Sequence, residues 1–199
     1  MSLLCYIDVE TTDKDTSTAA ITQIAAIIVR NGTEVARINL DVNAFSYKRR
    51  VTVSKKALQV TGKTLKGIEG YPSATVSIFK LTSWLNTYRE LGEYYTLVAF
   101  RTQFDLECLL GFFQDQMGDS RKLYDYFHFK TLDILQLVLF ADLYNLLPKL
   151  ENHKLLTLCT VYGIELDAHD ALADIVATRK LHKKLIVAFG LQYKPDIKI

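Results

Sequence analysis

Apolar residues fall into runs of two kinds along this chain, short near-continuous stretches and longer stretches with helical spacing. Leu3 to Val9 is a short, nearly continuous apolar run, the pattern of a strand buried on both faces at the middle of a sheet. Ala20 to Arg30 is rich in isoleucine and ends at Asn31-Gly32, a strong hairpin signal ahead of Thr33 to Val42, so the first three strands form a meander. Ser54 to Thr61 reads as a short helix entered from Ser54, and Ser73 to Leu91 as a long one with Ile78, Leu81 and Leu85 on one face. Tyr95 to Phe100 returns as a strand. Gln103 to Met117 carries Leu106, Leu109, Leu110 and Phe113 at helical spacing, and Phe127 to Ile134 reads as a strand running into a helix that ends before Pro148. Helices over Lys154 to Tyr162 and Asp170 to Phe189 complete the chain. Strands first, then strand and helix in alternation, predict an α/β fold with a central mixed sheet flanked by helices.

The 199 residues suffice for one sizeable core, and no Pro, Gly or Ser-rich run divides them, so residues 1–199 are expected to form a single domain. The 49% hydrophobic and 23% charged fractions are those of a soluble globule. A net charge of +2 does not demand a long duplex, though it permits a short strand held by local basic groups. Cys5, Cys108 and Cys159 are odd in number, sit in apolar runs and lack zinc-ligand spacing; buried free thiols in a reducing cytoplasm are expected. No signal-peptide pattern opens the chain, and its apolar stretches are broken by polar residues, as Leu132 to Leu147 is by Asp133, Gln136 and Asp142, so no membrane span is expected.

The chemistry concentrates in acids placed at the edges of apolar elements. Asp8 and Glu10 lie two apart on the first strand, hence on one face, at the C-terminal end where open α/β sheets place their sites. Asp105 continues the apolar stripe of its helix, where a carboxylate is costly unless ligated or hydrogen-bonded. In His169-Asp170-Ala171-Leu172-Ala173-Asp174, Asp170 is a natural N-cap, Asp174 falls one turn inside the helix, and His169 precedes it on a loop. Each position alone admits a structural reading: solvated acids at a strand end, Asp105 as a helix cap, His169 as a surface histidine. Together, acids crowded into one site need a cation, and a neighbouring histidine supplies a base for hydrolysis.

These segments resemble, in order and content, the DEDDh family of 3′ to 5′ exonucleases (DnaQ-like), which includes polymerase proofreading subunits and ribonuclease T. Asp8-Val9-Glu10-Thr11 is similar to the first family motif, Phe104-Asp105 to the second, and His169 to Asp174 to the third. Thr22-Gln23-Ile24-Ala25-Ala26, Ala57-Leu58-Gln59-Val60-Thr61-Gly62 and Leu155-Leu156-Thr157-Leu158-Cys159 resemble its connecting segments. The resemblance implies a ribonuclease H-like fold with a five-stranded mixed sheet, two divalent ions, Mg²⁺ or Mn²⁺, and release of nucleoside 5′-monophosphates from the 3′ end of single-stranded nucleic acid, DNA favoured over RNA. It implies that Asp8, Glu10 and Asp174 hold the ion carrying the attacking water, that Asp8 bridges to the second ion, that Asp105 supports the cluster, and that His169 takes the proton. Thr11, Thr12, Val60 and Phe104 match positions that touch the terminal nucleotides, although plain core packing also accounts for Val60 and Phe104. Proofreading or DNA repair is the implied setting, and a polymerase or other replication protein the implied partner; oligomeric state is not implied.

The chain departs from the family pattern twice: Asp13 stands where a glycine usually follows the first motif, and Phe100-Arg101 where a His-Asn pair usually precedes the second. The basic stretch Lys48, Arg49, Arg50, Lys55 and Lys56 reads as a solvated loop or a grip on a phosphate backbone, and the cluster Tyr124, Tyr126, Phe127 and Phe129 as core packing or a stacking surface. His128, His153 and His182 are assigned no chemistry. Two rival readings stand beside the nuclease: a nucleic-acid-binding or polymerase-associated module with weak or no catalysis, raised by the missing His-Asn pair, and a small-molecule phosphoester hydrolase using the same ions. The short tail Gln192 to Ile199 favours a free-standing enzyme.

Overall fold

The computed structural model describes residues 2–166 and 170–191. Strands β1 (Leu3–Thr11), β2 (Ile21–Arg30) and β3 (Thr33–Asp41) form the expected antiparallel meander. Asn31 and Gly32 join β2 to β3 with φ of 51° and 80°, the left-handed pair that a two-residue hairpin turn requires. Helices α1 (Lys55–Thr61), α2 (Leu65–Glu69) and α3 (Ala74–Thr87) follow, capped by Ser54, Thr64 and Ser73. Strand β4 (Tyr95–Ala99) leads into α4 (Thr102–Met117), and β5 (Phe127–Asp133) runs directly into α5 (Ile134–Leu143); α6 (Leu155–Val161) and α7 (Ala171–Ala188) close the fold.

The sheet order is β3-β2-β1-β4-β5, with β4 parallel to β1 and β5 parallel to β4. β1 is central, as its unbroken apolar run predicts. Strand alternation sorts the helices into two layers. Leu3, Cys5, Ile7 and Val9 face a core built with α3 and α4, while Tyr6, with Ala25 and Ile27 of β2, faces a second core built with α5, α6 and α7. Asp8 and Glu10, in phase with Tyr6, therefore point to the α7 side of the sheet.

The differences from expectation have local causes. The long helix stops at Thr87 rather than Leu91, where the guanidinium of Arg89 turns back to Asn86 and to the Asp125 carbonyl. α2 is too short to show a period. Phe127 and Tyr126 pack in the core, but Phe129 is 71% exposed and stacks on His128. The basic stretch is exposed at Lys48, Arg50, Lys55 and Lys56, but its backbone and Arg49 are tied down. The Asp115 carboxylate accepts from the backbone N–H groups of Lys48 and Arg49, and the Arg49 guanidinium donates to the carbonyls of Ser17 and Ala19. All three cysteines are buried and free, and no described helix is long and apolar enough to cross a membrane.

Candidate active site

β1 and β2 pair regularly up to Glu10 opposite Gln23, and then the register slips so that Thr11 faces Ile21. This bulge at Thr22 interrupts the ladder immediately beyond Glu10, a common device for aiming side chains at a sheet end. Asp8 and Glu10 thus leave β1 on the face covered by α7. Asp170 caps α7, its Oδ1 accepting from the Ala173 N–H at 3.0 Å, and this fixes the first turn that carries Asp174. One carboxylate oxygen from each of Asp8, Glu10 and Asp174 lies within 4.8 Å of the others.

Asp105 enters from the opposite layer, on α4, and stays outside that group. It is 3% exposed, and its Oδ1 accepts from the Val9 N–H at 3.1 Å, so it clamps the strand between the two acids while its charge still acts on Asp8. The turn before α4 is unusual: Arg101 has φ 69°, left-handed for a residue with a side chain. Asp133 at the end of β5 holds it there, accepting from the N–H groups of Arg101 and Thr102 at 3.2 and 3.1 Å while also capping α5 at Leu135. Phe100 packs into the α7-side core and Arg101 is exposed. The other departure is also accommodated. Asp13 is absent from the left-handed residues, so the loop accepts a side chain there, and its carboxylate receives the Asp15 N–H.

Electrostatics mark this cluster as a place where negative charge is costly. Burial pushes Asp8 well above the usual carboxylate range, and the charges of Asp105, Asp174, Glu10 and Asp170 push the same way. Burial and Asp174 raise Glu10 to about 7, against the opposing pull of Lys63. Burial raises Asp105 too, partly offset by the Val9 and Asp105 backbone N–H groups. Asp170 is the exception: burial acts to raise it, but the Gln23 amide and the N–H groups of Ala173 and Leu172 hold it below its ordinary value. Lys63, the ammonium that acts on Glu10 and Asp170, donates to the Gln23 Oε1 at 3.1 Å. An all-oxygen, all-carboxylate donor set of this kind fits a hard divalent cation, which would reverse every one of these repulsions.

The remaining predicted positions lie around this centre. Thr11 donates its hydroxyl to the Asp13 carbonyl at 2.7 Å, and fully buried Thr12 uses its own to accept the Ala20 N–H at 2.9 Å. Val60 is 44% exposed on α1, and Phe104 is partly buried against the α4-side core. His169 lies outside the described residues. Gln23, Lys63 and Asp133 also belong to the surroundings of the site, though the sequence pattern assigns them no role there. Gln23 gave one signal, a polar amide within a run that is otherwise almost wholly apolar.

A family model described as Exonuclease, the RNase T family, matches residues 5–182. The chain belongs to the DEDDh, DnaQ-like family of 3′–5′ exonucleases. Membership carries a dependence on divalent metal, for which the acidic cluster offers ligands. Among curated relatives, DNA polymerase III PolC-type of Oceanobacillus iheyensis is 29% identical over 180 residues, 90% of this chain and 11% of that protein. The Bacillus cereus counterpart is 26% identical over 195 residues, covering 96% of this chain and 12% of its own length. Among solved structures, Escherichia coli Exonuclease I in complex with a dA16 oligonucleotide superposes with a TM-score of 0.76 at 20% identity, over 94% of this chain and 41% of that one. Exonuclease I from Methylocaldum szegediense gives 0.75 at 19% identity, over 94% and 40%. The fold is thus the ribonuclease H-like one of these exonucleases. The chain spans about a tenth of the PolC-type relatives and about two-fifths of the Exonuclease I chains.

Proposed function

We propose that this chain removes nucleotides one at a time from the 3′ end of single-stranded nucleic acid, DNA in preference to RNA, releasing nucleoside 5′-monophosphates. The observation that carries the proposal is the meeting of Asp8, Glu10 and Asp174 within 4.8 Å at the end of the central strand. Exonuclease I, a structural neighbour, was solved with a single-stranded oligonucleotide, which supports the choice of DNA. Asp8, Glu10 and Asp174 would hold the divalent ions, Mg²⁺ or Mn²⁺, and Asp105 would support the set through its grip on Val9. When bound, two such ions lower the pKa of the attacking water and stabilise charge on the departing 3′ oxygen. His169, which directly precedes the cap residue Asp170 in the sequence, would serve as the base for that water. Thr11, Val60 and Phe104 would border the path of the terminal nucleotides, Val60 and Phe104 through apolar contact that tolerates any base, with fully buried Thr12 holding the loop behind them.

The test is digestion of 5′-labelled single-stranded DNA, duplex DNA and RNA by the purified chain with Mg²⁺ or Mn²⁺, and with chelator as control. A ladder shortening from the 3′ end, fastest on single-stranded DNA and abolished by chelator, is expected. Absence of mononucleotide release under all these conditions would reject it in favour of a polymerase-associated module, the reading that the PolC-type relatives raise. Faster turnover of a simple phosphate monoester than of the oligonucleotide would instead favour the small-molecule hydrolase.

A further inference from the structure

β2 is buried almost throughout, yet at the position opposite Glu10 it carries an amide. Gln23 is 4% exposed, and burying an amide is costly unless its hydrogen bonds are made. Here they are made to three separate elements. Nε2 donates to the Asn39 Oδ1 of β3 at 3.1 Å and to the Asp170 Oδ2 at the α7 cap at 3.0 Å, while Oε1 accepts from Lys63, just beyond α1, at 3.1 Å. The other oxygen of Asp170 closes the first turn of α7, and the Asp174 N–H donates to the Asp170 carbonyl at 2.9 Å. A continuous chain of hydrogen bonds therefore runs from the strand partner of Glu10 to the backbone of Asp174.

We propose that Gln23 is a positioning residue that sets the N-terminus of α7, and with it Asp174, against Asp8 and Glu10, and that holds the Lys63 ammonium at the edge of the same site. The inference rests on the proposed metal-dependent nuclease reading. The amide meets three demands at once: its Nε2 donates to both the Asn39 amide oxygen and the Asp170 carboxylate while its Oε1 accepts from an ammonium, which a single hydroxyl or imidazole does not supply. A carboxylate at position 23 would face Asp170 with like charge, and an apolar residue would leave both Asp170 Oδ2 and Lys63 without this partner. Ligand constellations tolerate errors of roughly half an ångström, so a small shift of α7 is enough to spoil the site.

The test compares the wild-type chain with Gln23→Glu, Asp170→Asn, the double variant and the near-isosteric Gln23→Met, reading Mn²⁺ binding by calorimetry without substrate, nuclease rate and thermal midpoint. Gln23→Glu and Gln23→Met should weaken Mn²⁺ binding by about 10–100-fold, the usual effect of losing a partner that orients metal ligands. In the double variant the two groups exchange roles: the amide now at position 170 can donate to the carboxylate now at position 23 while its oxygen still caps α7. Affinity should then recover most of that loss. Recovery with all midpoints near wild type is the signature of positioning. Wild-type affinity in both Gln23→Glu and Gln23→Met, or a double variant no better than Gln23→Glu, overturns the proposal; should Gln23→Glu fail to fold, Gln23→Met decides on affinity alone. Wild-type protein that binds Mn²⁺ but digests nothing sinks the nuclease reading and leaves the positioning claim standing on binding; wild-type protein that binds no Mn²⁺ sinks both.

Discussion

Asp8 shows how a single side chain can oppose the fold that holds it. Its carboxyl is raised by burial and by four neighbouring acids, so in the metal-free protein its ionised form is a source of instability. Asp8→Asn should therefore stabilise the metal-free chain, by about 1 kcal/mol as strained functional positions commonly do when neutralised, while lowering nuclease rate at least about 100-fold. Thermal melts in chelator and a rate assay check the two halves; a destabilised variant would contradict this account of the site. On the proposed role of His169 as proton acceptor rather than ligand, His169→Ala should reduce the rate without changing Mn²⁺ affinity. The acids were legible in the sequence because each sits out of pattern at the edge of an apolar element, in an order that resembles one family. Gln23 was not, since nothing near it in sequence says that Asp170, 147 residues away, is its partner.

Most elements follow from local pattern, and local chemistry explains why. Ser54, Ser73 and Asp170 cap helices as their types suggest, and Asn31-Gly32 makes the hairpin. Gly32→Ala should cost about 1–2 kcal/mol by urea unfolding, because it puts a Cβ on a left-handed residue. Asp133 joins two elements that pattern alone treats as separate. It caps α5 and receives the backbone of the strained Arg101 turn that begins the Asp105 helix. Asp133→Ala should lower stability by about 1–2 kcal/mol and reduce nuclease rate as well, since Asp105 rides on that helix; Asp133→Asn, which keeps one acceptor oxygen, should lose less. Retention of full activity in Asp133→Ala would separate the turn from the site. The phenylalanine and arginine that replace the family's usual pair are thus accommodated by packing and by this carboxylate, a contact that the sequence around them does not announce.

Across the whole molecule, the buried acids make stability depend on pH. Glu10 titrates at about 7 in the folded protein, well above the ordinary value it keeps when unfolded, so the unfolded chain gives up this proton first. Its contribution is complete below the ordinary glutamate range and is lost as pH rises through about 7, and Asp8 and Asp105 act in the same direction. Buried His182, lowered to about 4, works the opposite way but only below the ordinary histidine value, where the unfolded chain takes up protons that the folded one refuses. Between about pH 6.5 and 8 the acids should dominate: the metal-free protein loses about 1 kcal/mol through Glu10 alone, Glu10→Gln shows a smaller loss, and saturating Mg²⁺ removes the slope. Denaturant midpoints across that range, with and without Mg²⁺, measure it. The sequence by itself determined the order of the strands and of every helix but the short α2, the sheet class and the identity of the acidic residues, because periodicity, caps and motif order are properties of neighbours along the chain. Only the tertiary structure decided that three of those acids converge while Asp105 clamps the strand from the other layer, that Asp133 holds Arg101 left-handed, and that Gln23 links β2 to α7. Each of these depends on the relative placement of elements far apart in the chain, fixed by how two cores pack on opposite faces of one sheet.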